Sequence, residues 1–283
     1  MDEKILVTGA TGTVGSEVIR SLIKLKIPVR AAVRDISSAK KMFGDEVKYV
    51  RFDFGKSETF GEALINIEKL FLVRPPPISD VKKYIFPLID YAKNSGVTHI
   101  VFLSLMGVNR LMPHYKIEKY METSGINYTH LRANFFMQNL STFYRDIIRD
   151  NHEIFIPAGK GKTSFIDVRD IADVAVKVFN DSKYQNGAYT LTGCETLDYF
   201  EVAQIFTRVL GKEIIYCDPS AREYNKRMKE MNIPDDFIKV MSRIYFIVRM
   251  GKAARITRDT EEILGRKPIK MEKFVQDYSQ CWV

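Results

Sequence analysis

"ILVTGATGTVGSEVI", residues 5–19, sets three apolar residues ahead of Gly9, Gly12 and Gly15, which are spaced three apart, and then runs into a helical apolar pattern. A glycine has no Cβ, so its backbone can approach a diphosphate closely. The helix that follows offers free N–H groups and the positive end of its dipole to the same anion. A bare glycine triplet also serves plain strand–helix packing. The context is more specific here, because the triplet joins a first strand to a helix and a second strand begins at Val29. The stretch therefore reads as a dinucleotide loop, with Gly9, Thr11, Gly12, Thr13, Val14 and Gly15 around the phosphates.

Outward from this loop the first half of the chain alternates strand and helix. Strands are expected at 4–9, 29–34, 47–53, 68–73, 98–104 and 126–132, with helical stretches between them such as 81–96, where Gly96 reads as a C-cap. Such alternation predicts an α/β protein with a doubly wound parallel sheet of Rossmann type. After about residue 150 the rhythm changes to a glycine-bearing loop, a short strand and a helix over 156–179, and a further strand at 187–193. Residues 197–283 read as mostly helical. The expected organisation is a cofactor-binding domain over 1–150 and a smaller, mostly helical C-terminal lobe over 151–283, with segments returning to the main sheet. Within that lobe residues 220–255 carry Met228, Met231, Met241 and Met250, adaptable packing material for a mobile lid.

The chain has 283 residues, 46% hydrophobic and 28% charged, which fits a packed globular protein. No leader peptide is expected, because Lys4 leads straight into the first strand. No apolar run reaches the roughly 18 residues of a membrane span. Three separated cysteines fit reduced thiols and a cytoplasmic protein, and four histidines without ligand spacing predict no metal site. The net charge of +8 favours anionic ligands such as a phosphorylated cofactor. Basic residues are spread along the chain, and no nucleic-acid-binding pattern stands out.

The end of the second strand selects the dinucleotide. An NAD site usually has an acid there for the ribose hydroxyls. This chain has Arg34 and then Asp35, one residue late. Arginine suits a 2′-phosphate through charge-assisted hydrogen bonds, so NADP(H) is expected. Asp53 and Phe54 follow the third strand, as an adenine border or a turn cap. Val73 and Arg74 end the fourth strand ahead of three prolines that stiffen the wall beneath the cofactor.

Six stretches, "GATGTVG", "AAVRD", "VFLSLMGV", "INYTHLRANFFMQNL", "SFIDVRDIADVAV" and "ILGRKPIKMEKFVQDY", resemble the NmrA-like branch of the atypical short-chain dehydrogenases, closest in type to bacterial NADPH-dependent quinone reductases. The segment at 166–172 and the late "GRxP…F" pattern are its specific parts. The resemblance implies NADP(H) binding, a substrate cleft between two lobes, and a place among relatives of which some bind NADP without catalysis. In the wider superfamily a serine after the fifth strand, a tyrosine and a lysine four residues later assist hydride transfer. Ser104 holds the serine's place. Tyr115 and Lys119 match the spacing literally, whereas the NmrA-like pattern of a His or Lys followed four residues later by Glu falls on His114 and Glu118, which puts the superfamily lysine position on His114 and the tyrosine position on Arg110.

Helical geometry separates the two registers. At about 100° per residue, Ile117, Tyr120 and Met121 define an apolar stripe, and Tyr115 and Lys119 point about 150–165° from its centre. His114 and Glu118 lie at the margin of the stripe, about 65° and 105° away. His114 is therefore the expected active residue, binding the nicotinamide ribose or donating a proton, and Tyr115 with Lys119 is expected at the surface. "RANFFMQN" follows the sixth strand at the sheet edge where such folds bind ligands. Phe135, Phe136 and Met137 are expected to wall the substrate site, Asn134 and Asn139 to orient a carbonyl, and Phe165 to shape the floor. Asp170 reads as a helix N-cap.

The expected function is NADPH-dependent hydride transfer to a small conjugated carbonyl, a quinone above others. A non-catalytic NADP(H)-sensing regulator with a protein partner and a nucleotide-sugar epimerase or dehydratase are the alternatives. The expected partner is a small molecule, with neither nucleic acid nor membrane, and a homo-oligomer is compatible with the sequence.

Overall fold

The computed structural model describes residues 3–283. In chain order its first elements are β1 (Ile5–Val7), α1 (Thr13–Lys24), β2 (Val29–Val33), α2 (Ile36–Phe43), β3 (Lys48–Arg51), α3 (Phe60–Leu64) and β4 (Lys69–Val73). There follow α4 (Val81–Tyr84), α5 (Phe86–Asn94), β5 (His99–Leu105), α6 (Pro113–Ser124) and β6 (Asn127–Ala133). The later elements are α7 (Arg145–Asn151), β7 (Glu153–Ile154), α8 (Val168–Phe179), β8 (Gly187–Leu191), α9 (Tyr199–Leu210), β9 (Ile215–Tyr216), α10 (Ala221–Glu230), α11 (Asp235–Arg249), α12 (Asp259–Leu264) and α13 (Met271–Asp277).

The chain forms two compact units. The first comprises the described residues up to Ala133, together with Val168–Leu191 and Asp259–Arg266. It contains a seven-stranded sheet in the order β3-β2-β1-β4-β5-β6-β8, parallel throughout. Its strands are apolar on both faces because both faces are covered. Leu6, Leu70, Leu72, Ile100 and Phe102 share one core with Phe60, Leu88, Ile117 and Met121 from α3, α5 and α6. Ile5, Val7, Phe71 and Val101, of opposite parity, are equally buried. That face is left to α1 and α8, which pack on each other. The expected Rossmann-type doubly wound sheet is what the chain forms.

The second unit comprises Asn134–Asp167, Thr192–Arg258 and Lys267–Val283. It is mostly helical, with β7 and β9 as a two-stranded parallel sheet. Its core is aromatic, with Tyr144, Tyr199, Phe206, Tyr224, Tyr245, Phe274 and Trp282 buried together. The units are thus interleaved along the chain rather than divided near residue 150. Residues 134–150 belong to the second unit, and α8, β8 and α12 belong to the first. The reason is packing: α8 is apolar on nearly every turn and fills a place beside α1 in the first unit.

Three local expectations are corrected. The helix expected over 81–96 breaks between Tyr84 and Phe86, with Pro87 in the first turn of α5, where a missing N–H costs little. The short strand expected within 156–179 forms only single bridges, Phe136 to Ile166 and Thr163 to Leu197 and Ala253. Asp170 is not an N-cap. It lies inside the first turn of α8, fully buried, with its carboxylate 2.7 Å from Arg266 Nη1. Among the described residues no helix is long and apolar enough to cross a membrane.

Candidate cofactor and substrate sites

Because every strand of the main sheet runs the same way, the turns after β1 to β6 share one edge. Strand order reverses between β1 and β4, and such a switch point is where open α/β sheets bind ligands. The glycine loop lies there. Gly9 adopts φ +59°, and a Cβ on it would sit 3.2 Å from Val73 Cβ at the end of β4. A Cβ on Gly15 would come within 2.2 Å of the Gly9 carbonyl oxygen, so Gly15 is required for packing the helix onto the loop. Gly12 differs. Its added Cβ would meet only the Gly9 oxygen, at 3.2 Å, and is otherwise open.

Gly12 is also the N-cap of α1 and supplies no side-chain hydrogen bond. The first amides of the helix therefore have no partner within it, and Thr11, Gly12 and Thr13 are exposed. Val14 turns inward and is buried. An uncapped, exposed N-terminus behind a glycine turn fits a diphosphate.

Arg34 is exposed just beyond β2 and, among the described residues, makes no hydrogen bond. Asp35 is committed. Its Oδ1 accepts from the Ser37 amide at 2.9 Å and the Ser38 amide at 3.3 Å, and its Oδ2 accepts from Ser38 Oγ at 2.6 Å. Hydrogen bonds from the Ser38 hydroxyl and amide hold its carboxyl below the usual range. The acid that kept NAD open is thus a helix cap, and the arginine is free. Arg51, which sequence reading passed over, is exposed and lies in register with Val33 beside Arg34. Only strand pairing brings these two cations together.

Asp53 Oδ1 accepts from the Gly55 amide at 2.8 Å, which is a turn cap. Phe54 is edge-on to Phe52 at 5.0 Å and belongs to the core. Arg74 is held inward. Its Nη1 donates to the carbonyls of Pro75, Pro76 and Ile78 at 3.0, 3.0 and 2.7 Å, fixing the proline turn. Its Nε donates to His114 Nε2 at 3.4 Å.

The apolar face of α6 carries His114 and Glu118 further in than their place on the margin suggested, with both buried. Burial, with Arg74 adding to it and Glu118 opposing, lowers the His114 pKa to about 3. With Nε2 accepting from Arg74, the neutral ring carries its proton on Nδ1. His114 is thus a hydrogen-bonding group near neutrality and not an imidazolium acid. Ser104 Oγ donates to Glu118 Oε1 at 2.6 Å, and Arg132 grips the same carboxylate with Nε at 3.0 Å and Nη2 at 2.6 Å. Burial works to raise the Glu118 pKa, but the bonds from Arg132 and Ser104 outweigh it and hold the group ionised. Tyr115 is half-buried and Lys119 exposed. Lys119 Nζ lies 5.7 Å from the Tyr115 ring centre and pairs with Glu122.

The fold also gathers Glu118, Glu122 and His130, with one ligand atom of each within 4.8 Å of the others. Their spacing across a helix and a strand gave no metal pattern in the sequence. Arg132 and Lys119 already occupy the two carboxylates.

In the second unit, Phe135, Phe136, Asn139 and Phe165 line one pocket with Tyr144, Tyr199 and Tyr245. Two expected members do not join them. Met137 is core. Asn134 spends its amide hydrogens on Ser164 O, Ser164 Oγ and Ala253 O at 3.0, 2.7 and 3.0 Å. Tyr199 was missed, because its place at the start of α9 carries no motif.

The sheet, the glycine loop at its switch point and the free arginine beyond β2 define a dinucleotide-binding protein of Rossmann type. The sequence pattern of the NmrA-like family matches residues 1–279, and the chain belongs to that family. It is 31% identical to an NAD(P)H azoreductase of Xenophilus azovorans over 98% of this chain and 99% of the relative. Among solved structures it is similar to a Citrobacter triphenylmethane reductase complexed with NADP(H), at 23% identity and a TM-score of 0.85, covering 97% of this chain and 99% of that one. It is also similar to an Escherichia coli NADPH-dependent quinone oxidoreductase complexed with NADPH, at 24% identity and a TM-score of 0.84, covering 96% and 99%. At these identities the two structures speak for the fold. The family's specific segments, 166–172 and the late "GR", meet in space, where Arg266 binds Asp170 and Asp173 at 2.7 Å each.

Proposed function

We propose that the chain is an NADPH-dependent oxidoreductase that reduces a small conjugated carbonyl compound, with quinones as the expected class. The observation that carries this reading is the pairing of an open, uncapped glycine loop with an unengaged Arg34 beside a committed Asp35. The azoreductase relative supports it, since azo groups and quinones are both conjugated two-electron acceptors. NADPH, when bound, supplies a hydride. The loop amides would hold its diphosphate, and Arg34 with Arg51 its 2′-phosphate. His114 would donate from Nδ1 to a ribose hydroxyl. The Ser104–Glu118–Arg132 cluster would position α6 against β5 and β6. The pocket of the second unit would take the acceptor, and water would deliver the proton. A cytoplasmic location and a small-molecule partner belong to the same reading.

The test is consumption of NADPH and of NADH by the purified protein against a panel of quinones, enones and aldehydes. Turnover with NADPH and a quinone supports the reading. One observation favours a second reading, a non-catalytic NADP(H) sensor: the Ser104 proton is committed to Glu118 and His114 is neutral. Tight, redox-selective NADP binding without turnover of any acceptor would establish the sensor instead.

A further inference from the structure

Tyr115 and Lys119 on α6 have no part in the chemistry proposed above. With Phe86, Arg110, Lys116 and Tyr120 they line a shallow hollow of about 520 Å³ on the α5–α6 side of the first unit. Its floor is aromatic. The rings of Phe86 and Tyr120 stack at 3.8 Å with 6° between their planes. Both are half-buried and pack against the core of the first unit, so the floor is firmly held. Tyr120 Oη donates to Asp90, at 2.7 Å from Oδ1 and 2.8 Å from Oδ2, which spends the hydroxyl and fixes the ring.

The rim is cationic. Arg110, Lys116 and Lys119 are exposed there, and among the described residues no acid lines the hollow. Lys119 pairs with Glu122. Arg110 and Lys116 make no ion pair or side-chain hydrogen bond among the described residues. Two acids of the same helices, Asp90 and Glu122, are already engaged by Tyr120 and Lys119. The surface thus carries positive charge that nothing on it neutralises. The hollow is open to solvent, unlike sites that enclose most of a small ligand. Aromatic and arginine side chains within a charged rim are the make-up of protein-contact surfaces, and a rim of one sign selects a partner of the other. Two free cations are few for tracking a phosphate backbone, which favours polypeptide over single-stranded nucleic acid.

We propose that this hollow docks an acidic polypeptide segment of a partner protein, with an aromatic side chain seated on the Phe86–Tyr120 floor and carboxylates facing Arg110 and Lys116. The inference does not depend on the catalytic reading. It is compatible with a reductase, and it gives a sensor the place of its protein partner.

The probes are a short fluorescein-labelled peptide of glutamates with one central phenylalanine, the same peptide with alanine at the centre, and labelled oligothymidine. Binding to the full chain is read by fluorescence anisotropy. The wild type is expected to bind the phenylalanine peptide about three- to tenfold more tightly than the alanine peptide, the worth of a partly buried ring. Arg110→Glu combined with Lys116→Glu alters two exposed positions and is expected to weaken binding by about tenfold or more. Arg110→Gln with Lys116→Gln removes the charges without reversing them and should cost about threefold. Arg222→Glu with Lys226→Glu, exposed on α10 in the second unit, makes the same change in net charge as the first pair and should cost less than about twofold. Equal losses in the α6 and α10 charge reversals would mean attraction by net charge alone. Equal affinity for the two peptides would mean no aromatic seat. Tighter binding of oligothymidine would mean a nucleic-acid surface. Each of these results, or no saturable peptide binding below about 1 mM, would overturn the proposal.

Discussion

Acid should unfold the first unit well before its carboxylates titrate. Three of its histidines are buried: His99 at 1%, His114 at 7% and His130 at 0% exposure. Burial lowers the pKa of His99 to about 4, with Lys69 adding to it. It lowers His130 to about 4 against the opposing pull of Glu118 and Glu122, and His114 to about 3. The hydrogen bonds agree with neutral rings. Thr129 spends its one hydroxyl proton on the Tyr184 carbonyl, so His99 Nε2 must donate to Thr129. Neither ring nitrogen of His130 has a hydrogen-bond partner. Unfolding returns each group to a pKa near 6.5. Between the two values the unfolded chain binds more protons, so stability is full above about pH 6.5 and is lost as pH falls toward 4. Each imidazole contributes about 1.4 kcal/mol per pH unit in that window, and the three together about 4 kcal/mol. At pH 5 the loss is about 6 kcal/mol, comparable with the whole stability of many domains. Urea unfolding followed from pH 7.5 to pH 5 measures it. His130→Phe, placed between the rings of Phe102 and Tyr128, should reduce the slope to about two-thirds. A midpoint independent of pH between 7 and 5 would refute the reasoning.

Further outcomes are expected. Arg34→Ala should weaken NADPH binding by about ten- to a hundredfold, the worth of a charge-assisted bond, and leave NADH unchanged; equal effects on both cofactors would remove Arg34 from the 2′-phosphate site. Gly15→Ala should lower the melting temperature sharply, because its Cβ meets the Gly9 oxygen at 2.2 Å, while Gly12→Val should chiefly abolish NADPH binding, read by calorimetry. Tyr115→Phe should keep turnover within a few-fold, against the roughly 10²–10⁴-fold cost of losing a true proton donor. His114→Ala should cost more, in turnover or in NADPH affinity. Residues 220–255 should exchange amide hydrogens faster than residues 5–105 in the absence of ligand, which mass-spectrometric exchange would decide.

Local pattern determined the strand–glycine–helix start, the alternation that makes the sheet parallel, and the outward face of Tyr115 and Lys119 on α6. These follow from chain geometry within one or two elements, which periodicity reports. The free state of Arg34 was half legible, since its type and place were plain but the commitment of Asp35 depended on the turn into α2. Tertiary structure alone decided the rest. It placed 134–150 in the second unit and returned α8 and α12 to the first, because apolar faces choose partners by packing and not by distance along the chain. It set Arg51 beside Arg34, joined Asp170 to Arg266 and closed Ser104 and Arg132 on Glu118. Each contact links residues that no sequence period relates. It also neutralised His114, whose ordinary pKa had suggested an acid, because burial beside Arg74 removes water that the sequence cannot show to be missing. Tyr199 carried no motif. Only tertiary packing sets its ring against Phe165 and Tyr216.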